Sequence, residues 1–552
     1  MKKLLLLLSI VCLQGLQRIE AGTCPGASCS AEHSCDCKAT SHTFFSIRPV
    51  FTIGSPEYLV HNRDNYKTIN RENGYDSCCG FLGQALQVTV FGGQSTHDEG
   101  LGRFFMPFCS TTLNVDEAAI SGVTDVLANQ LNIYSVNANF SSIVEFHFRH
   151  SFVGVGINYQ QRFYERCDGH GFWFSISGPI LQVRNRVTIN ENITNNGGGG
   201  VASAALTPVA SSCPTTCPNS CNPDCVLDPT QSLPPVDSVV AAFSQPGWCF
   251  GRIDNKTHKK TGVGDVTLRV GYETVKRDDC HLDSFVGVLI PTGNTPKAIN
   301  VFEPIVGHNH HWAVVFGSTF GLEIWHDSCG DFTVSGEFDF NITTFFERQE
   351  RRSFDLRYKP WSRYMQFYKD VAQATLASTS PAPASIILHT PGIDILTQDL
   401  KVKPGYYRMF NAACIVDTRC FEIEVGYNFF ARQAECLRLG CPFPTGAALK
   451  NIATGLGETA PYAMINTDFG ANCAGSPLVN YANNVITEAD IDLESAAHPA
   501  TLTHTVYGSL AYEWDGCCGY PMFVALGGSY EFPPDNVGLN RWMAWGKFGV
   551  AF

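Results

Sequence analysis

The chain has 552 residues, 44% of them hydrophobic, and a formal net charge of -13. That length suits several soluble domains or one large closed sheet. No basic stripe stands out that could neutralise phosphates, which excludes a nucleic-acid partner.

The chain opens MKKLLLLLSIVCLQGLQRIEA. Lys2 and Lys3 give a positive start, Leu4 to Leu16 an apolar core too short to cross a bilayer as a helix, and Ala21 a small residue for cleavage. Residues 1–21 are therefore expected to be a secretory signal peptide and 22–42 a cysteine-rich periplasmic segment, with 43–552 forming the body of the protein. No later stretch is long and apolar enough for a membrane helix. Of the 23 cysteines only Cys12 falls in the leader, and an exported chain with so many is expected to form disulfides. Candidates are Cys24, Cys29, Cys35 and Cys37 before the first strand, and Cys213, Cys217, Cys221 and Cys225 in CPTTCPNSCNPDC.

Period-2 alternation then recurs along the chain. Expected strands are 43–51, 84–92, 134–149, 152–164, 172–187, 266–276, 284–290, 312–326, 331–345, 405–416, 420–432, 504–514, 522–532 and 542–552. In the last of these Trp542, Ala544, Gly546, Phe548, Val550 and Phe552 share one face, while Lys547 sits on the other. Many runs reach the roughly 9 to 11 residues that a tilted strand needs to span a bilayer, with aromatics at the ends of their apolar faces. The sequence thus predicts an all-β, transmembrane antiparallel β-barrel of about 14 strands, in a range of roughly 12 to 16.

Connection lengths agree with a barrel. If the final strand ends in the periplasm, counting backwards puts short turns at 165–171, 277–283, 327–330, 417–419 and 515–521, and long loops on the outer side. Two connections break the rule: 93–133 is long on the inner side, and 150–151 is very short on the outer side.

On this reading the inward positions include Glu145, His147, Arg149, Arg269, Glu273, Glu323, Glu337, Asp339, Glu422, Glu424, Glu513, Glu531 and Lys547, with Asp355 added if its segment is a strand. Charges there suit a watery or internally paired lumen, and the acidic excess favours cations. The terminal Phe552, with Val550 and Phe548, is similar to the C-terminal aromatic signal by which bacterial outer-membrane proteins are recognised for barrel assembly. Cys167, Cys280, Cys329, Cys420, Cys517 and Cys518 mark nearly every short turn, and the N-terminal cysteine-rich segment is expected to be stapled to these turns or to another envelope protein. His308, His310 and His311 in GHNHHW read as a solvated loop, because no carboxylate or cysteine stands at ligand spacing.

The stretch 261–293 resembles outer-membrane channels of the long-chain fatty-acid transporter type and the phenol-degradation outer-membrane family. Gly262, Gly264 and Asp265 form a Gly-x-Gly-Asp strand start, and Pro291, Thr292 and Gly293 a Pro-Thr-Gly strand exit. The former family implies a fourteen-stranded barrel with an N-terminal plug. The mature N-terminus here is a short cysteine-rich segment, so neither that plug nor that family's hydrophobic substrate is carried over.

The function expected is an outer-membrane channel or porin-like transporter for small solutes. The alternative is a structural or adhesive envelope protein that uses the barrel as an anchor. Expected partners are outer-membrane lipid, the barrel-assembly machinery and other envelope proteins reached through disulfides. No GxSxG, HExxH or phosphate loop occurs, so no enzyme, cofactor or metal is expected. Glycosylation sequons at Asn139, Asn192, Asn255 and Asn341 raise a eukaryotic secreted glycoprotein as a third reading. It is set aside because most of them fall in or beside expected strands.

Overall fold

The computed structural model describes residues 41–58, 84–198, 235–368, 389–449 and 486–551, apart from a few short segments within these ranges. The expected leader, Cys24 to Cys37, Cys213 to Cys225 and Phe552 lie outside the described residues.

Twelve strands form a sheet that closes on itself. They are β1 Gln84–Ser95, β2 Phe140–Glu165, β3 Gly171–Asn196, β4 Val266–Lys276, β5 Cys280–Ile290, β6 Ala313–His326, β7 Phe332–Phe345, β8 Tyr407–Thr418, β9 Phe421–Arg432, β10 Thr501–Asp515, β11 Pro521–Phe532 and β12 Arg541–Ala551. Each pairs antiparallel with its neighbours in sequence, and β1 pairs with both β12 and β2, which seals the ring. No strand of the ring has a free edge along its full length, the condition for a sheet in apolar solvent.

Twelve lies at the lower end of the expected range of 12 to 16, and two segments account for the difference from fourteen. Residues 43–51 are not a strand, because Pro49 lacks the N–H a ladder needs and Phe51 takes a positive φ of 56°. The runs 134–149 and 152–164 contribute to one strand, β2, in which Ser151 pairs with both Gln94 and Arg184. Both exceptions to the loop rule then vanish, since 93–133 moves to the long-loop end and 150–151 is no connection at all.

The sheet is polar inside and apolar outside. On β12 the odd residues Arg541, Met543, Trp545, Lys547 and Ala551 are buried, while Trp542, Ala544 and Phe548 are exposed. Leu526 is 68% exposed and Val425 64%, whereas Lys547 is 2% exposed and Glu424 1%. A soluble sandwich would bury the first pair and expose the second. Exposed aromatics edge the apolar band at both ends: Phe163, Trp325, Phe421 and Tyr512 toward the short turns, and Trp312, Phe346, Phe532 and Trp542 toward the long loops.

The long connections fold into a cap at the loop end. It holds small sheets, among them Arg348–Ser353, Thr397–Lys403 and Cys436–Leu439, and short helices, the first two of them Asp98–Phe105 and Val239–Ser244. Ser238 caps the second helix by accepting from the Ala241 amide. One apolar core runs through the cap, from Phe104 and Phe146 to Phe243, Trp361, Phe367 and Leu400.

The residues behind the family likeness meet here. One Asp265 oxygen accepts from the Thr292 and Gly293 amides at 3.3 Å each, and the other from the His308 amide at 2.6 Å and His308 Nδ1 at 2.7 Å. Asp265 thus pins the start of β4 to the exit of β5.

Cysteines divide by level. Cys249, Cys436 and Cys441 of the cap are disulfide-bonded. Cys280 and Cys420 at the short-turn end, and Cys414 on β8, form no disulfide among the described residues, and the N-terminal cysteines expected to pair with the turns lie outside those residues.

An arginine placed at Leu526, exposed in mid-strand, is expected to destabilise the barrel in lipid vesicles by about 2–4 kcal/mol. Denaturant unfolding from vesicles measures this; a change within about 0.5 kcal/mol, as on a watery surface, would contradict a lipid-facing strand.

Candidate functional site

Residues 41–58 form a strap that descends from the cap into the lumen. At its upper end the Thr43 amide donates to Ser495 O at 2.9 Å, and Ser41 Oγ donates to Asp355 Oδ2 at 2.8 Å. Phe45 packs edge-on against Phe104 at 4.9 Å inside the cap core. Burial lowers the pKa of His42 to about 4, with Arg363 adding to the effect, and it lowers His498 well below its ordinary value, helped by Arg432. Both rings are therefore uncharged where they pack the strap.

Lower down, the wall of the barrel grips the strap through polar groups. Arg48 Nη2 donates to Asn428 Oδ1 at 2.7 Å, and its Nη1 lies 3.6 Å from Glu531. Arg541 completes the knot: its Nε donates to Glu531 at 2.6 Å and its Nη1 to Arg48 O at 3.0 Å. Every ion in this trio is buried, so the geometry must supply what water would.

The strap then turns. Gly54 takes a φ of +85°, and a Cβ there would lie 2.3 Å from Asn341 Nδ2, so only glycine fits. Pro56-Glu57-Tyr58 follows as a short helical stretch, Pro56 being suited to a first helical position. Asn341 donates to Ile53 O at 3.2 Å, Asn428 to Gly54 O at 2.8 Å and Lys547 Nζ to Pro56 O at 3.4 Å. Phe51 stacks on Phe91 at 5.9 Å and lies over Gly156, where a Cβ would stand 2.2 Å from its ring. Tyr58 reaches Ser177 at 3.3 Å, with the Arg269 guanidinium 5.1 Å from its ring centre.

Toward the short turns the wall remains polar and internally bonded. Arg162 pairs with Glu273 at 2.7 Å with both side chains buried. Asp339 accepts from Thr319 at 2.8 Å and Asn411 at 3.2 Å, and Glu424 from Tyr507 at 3.0 Å and Ser509 at 3.2 Å.

A closed ring of antiparallel strands with an apolar outside, a polar inside and aromatic edges has one home. The fold is an outer-membrane β-barrel. No family model matches the chain, and no curated protein matches it. Among solved structures, an outer membrane channel from Pseudomonas putida F1 is similar at a TM-score of 0.35 and 9% identity, covering 87% of this chain and 100% of that one. A Pseudomonas aeruginosa FadL homologue gives a TM-score of 0.26 at 6% identity, covering 85% and 89%. The transport unit of the Escherichia coli autotransporter AIDA-I gives 0.29 at 6% identity, covering 90% and 98%. Likeness this slight carries no argument, and the barrel stands on its own ladder and polarity.

Of the residues expected to line the lumen, Arg269, Glu273, Glu337, Asp339, Glu422, Glu424, Glu531 and Lys547 are buried on the inner face. Glu513 is half-buried near the short turns, as is Glu323, which meets His326 at 2.5 Å. Glu145 and Arg149 are corrections. They are exposed on the outer face of β2, where parity runs unbroken from Val153 through Ser151, and Phe146, Phe148 and His150 take the inner side. Asp355 belongs to the cap, paired with Arg363 at 2.5 Å. The GHNHHW histidines are no solvated loop: His308 is held by Asp265, and His311 is buried at 2.5 Å from Glu350, which Arg352 also holds. Among the described residues no group of three or more ligating side chains could hold a metal.

Phe548 is exposed and Val550 half-buried on the even face of β12. Sequence reasoning missed Arg48, Arg162, Asn428 and Arg541. The signal for the strap lay in Pro49 and in the Gly-Ser-Pro-Glu turn after it, which together argue against a strand over 43–51.

Replacing Arg48 by alanine leaves Arg541 and Glu531 without their third partner and is expected to cost about 3–5 kcal/mol of strap docking. Gly156→Val should undo docking through Phe51 while the ring persists. Limited proteolysis within 41–58, against unchanged heat-modifiable gel mobility of the barrel, reads both.

Acid should act at the cap end. A histidine that titrates at 6.5 when free and near 4 when docked contributes stability above pH 6.5 that is lost as the pH falls through 4. The protection factor of the Thr43 amide, its exchange rate corrected for the intrinsic slowing of exchange in acid, is expected to fall over that window, and less so in His42→Phe.

Proposed function

We propose that this barrel is a channel-type protein of a bacterial outer membrane that passes small solutes, and that the N-terminal strap sets its closed state. The carrying observation is the lumen itself: the strap is held by side chains that donate to its carbonyls and by a three-ion knot, inside a wall that stays polar below it. Polar contacts of this kind exchange readily with water, as an opening passage requires, whereas a wall built only for anchoring can pack shut with apolar side chains. The carboxylates of the wall, Glu273, Asp283, Glu337, Asp339, Glu422 and Glu424, favour cations over anions.

The short turns would face the periplasm and the cap the outside. Residues 1–21 would be the leader, and 22–42 a cysteine-rich segment that forms disulfides, like Cys213 to Cys225. Phe548, Val550 and Phe552 would be the signal read by the assembly machinery. A second reading, a structural or adhesive envelope protein anchored by the barrel, is favoured by the extent of the cap's apolar core and its disulfide-bonded cysteines.

Conductance across planar bilayers separates the two. The wild type is expected to give small or rare openings, and Arg48→Ala and Gly156→Val several-fold larger mean current. Silence of the wild type and of both folded variants would remove the channel and leave the anchor.

A further inference from the structure

Above the apolar band the outer face of the barrel carries four cations that no carboxylate among the described residues neutralises. The strand Thr257–Val263 continues the line of β4 and pairs with β3, making a three-stranded sheet of this region with β2. In its register Arg149 lies opposite Arg186, and Arg184 opposite Lys259. Side chains directly opposite in an antiparallel pair share a face at about 5 Å, and diagonal ones at about 7–8 Å. Arg184 and Arg186 on β3 thus each neighbour both Arg149 on one side and Lys259 on the other, and all four are exposed.

Like charges set opposite one another destabilise a sheet, and this chain has carboxylates to spare at a net charge of -13. Yet among the described residues no carboxylate pairs with any of the four; Arg184 meets the amide oxygen of Gln182 at 2.6 Å. Glu145 instead lies 3.6 Å from His147, and Asp254 2.9 Å from His258. An anionic partner would relieve the repulsion.

The position identifies that partner. Below the cluster on the same strands and the same face lie Val153, Ile180 and Val263, all exposed and apolar. Arg149 stands four residues above Val153, about 13 Å along the strand at 3.3 Å per residue. Acyl chains against the valines and isoleucine put a lipid headgroup level with the arginines. Guanidinium groups bind phosphate oxygens in pairs, and three of the four cations are arginine.

We propose that Arg149, Arg184, Arg186 and Lys259 form a binding site for the phosphorylated headgroup of an anionic membrane lipid at the loop end of the barrel. This rests on the membrane reading of the fold and not on conduction, so a silent channel leaves it standing.

The test is native mass spectrometry of the full-length protein in detergent, titrated with bisphosphorylated lipid A or with phosphatidylcholine. The wild type is expected to retain lipid A at least tenfold better than phosphatidylcholine. The combined variant Arg149→Gln, Arg184→Gln, Arg186→Gln and Lys259→Gln should lose that preference. Because the variant relieves repulsion it should fold, with heat-modifiable mobility and thermal stability at or above wild type. A variant that keeps the preference overturns the site, as does displacement of lipid A by equimolar inorganic phosphate, which would mark a free-anion site. A marked loss of stability in the variant also overturns it, since the four charges would then be structural.

Discussion

A backbone N–H or C=O left unpaired in hydrocarbon has no water to turn to, so every strand that meets lipid must be hydrogen-bonded on both sides. In this chain that requirement is met by the pairing of β1 with β12, where Ala85 faces Ala551 and Gln94 faces Trp542. Once the ring is closed, the pleat decides the rest. Alternate residues go to lipid and to the lumen, and the lumen inherits polar side chains that a soluble core would reject.

A lumen of buried charges has to be balanced from within. Arg162 with Glu273 is one solution, made wholly from the wall. The strap is the other, since Arg48 brings a third ion to Glu531 and Arg541, and strap carbonyls accept from Asn341, Asn428 and Lys547. The upper end of the strap is bound differently, by Phe45 in an apolar core and by uncharged histidines. Cap and barrel are therefore joined by one segment with two chemistries, one sensitive to acid and the other to the loss of a single charge.

The outer face follows its own rule. Where lipid tails end, apolar residues give way to polar ones, and Val153 yields to Ser151 and then Arg149 on β2. Arg149 also shows how far a local reading reaches. Period-2 alternation holds on either side of it, but its face depends on whether the chain breaks at residues 150–151, and only pairing with β1 and β3 shows that it does not.

The sequence by itself determined the secondary structure of the wall, because alternation is a property of neighbours along the chain. All twelve strands overlap expected runs, and eight inward charges, from Arg269 to Lys547, follow from parity within single strands. Tertiary structure decided what parity cannot carry. Residues 43–51 alternate like a strand, and it takes the space inside a closed ring, with Asn428, Glu531 and Arg541 converging on them from strands far from the strap in sequence, to make them a strap. The four cations at the rim are likewise scattered from residue 149 to residue 259 and become one patch through register alone. Local pattern sets which side of a strand is oily; closure sets what lies inside and which distant charges must share a face.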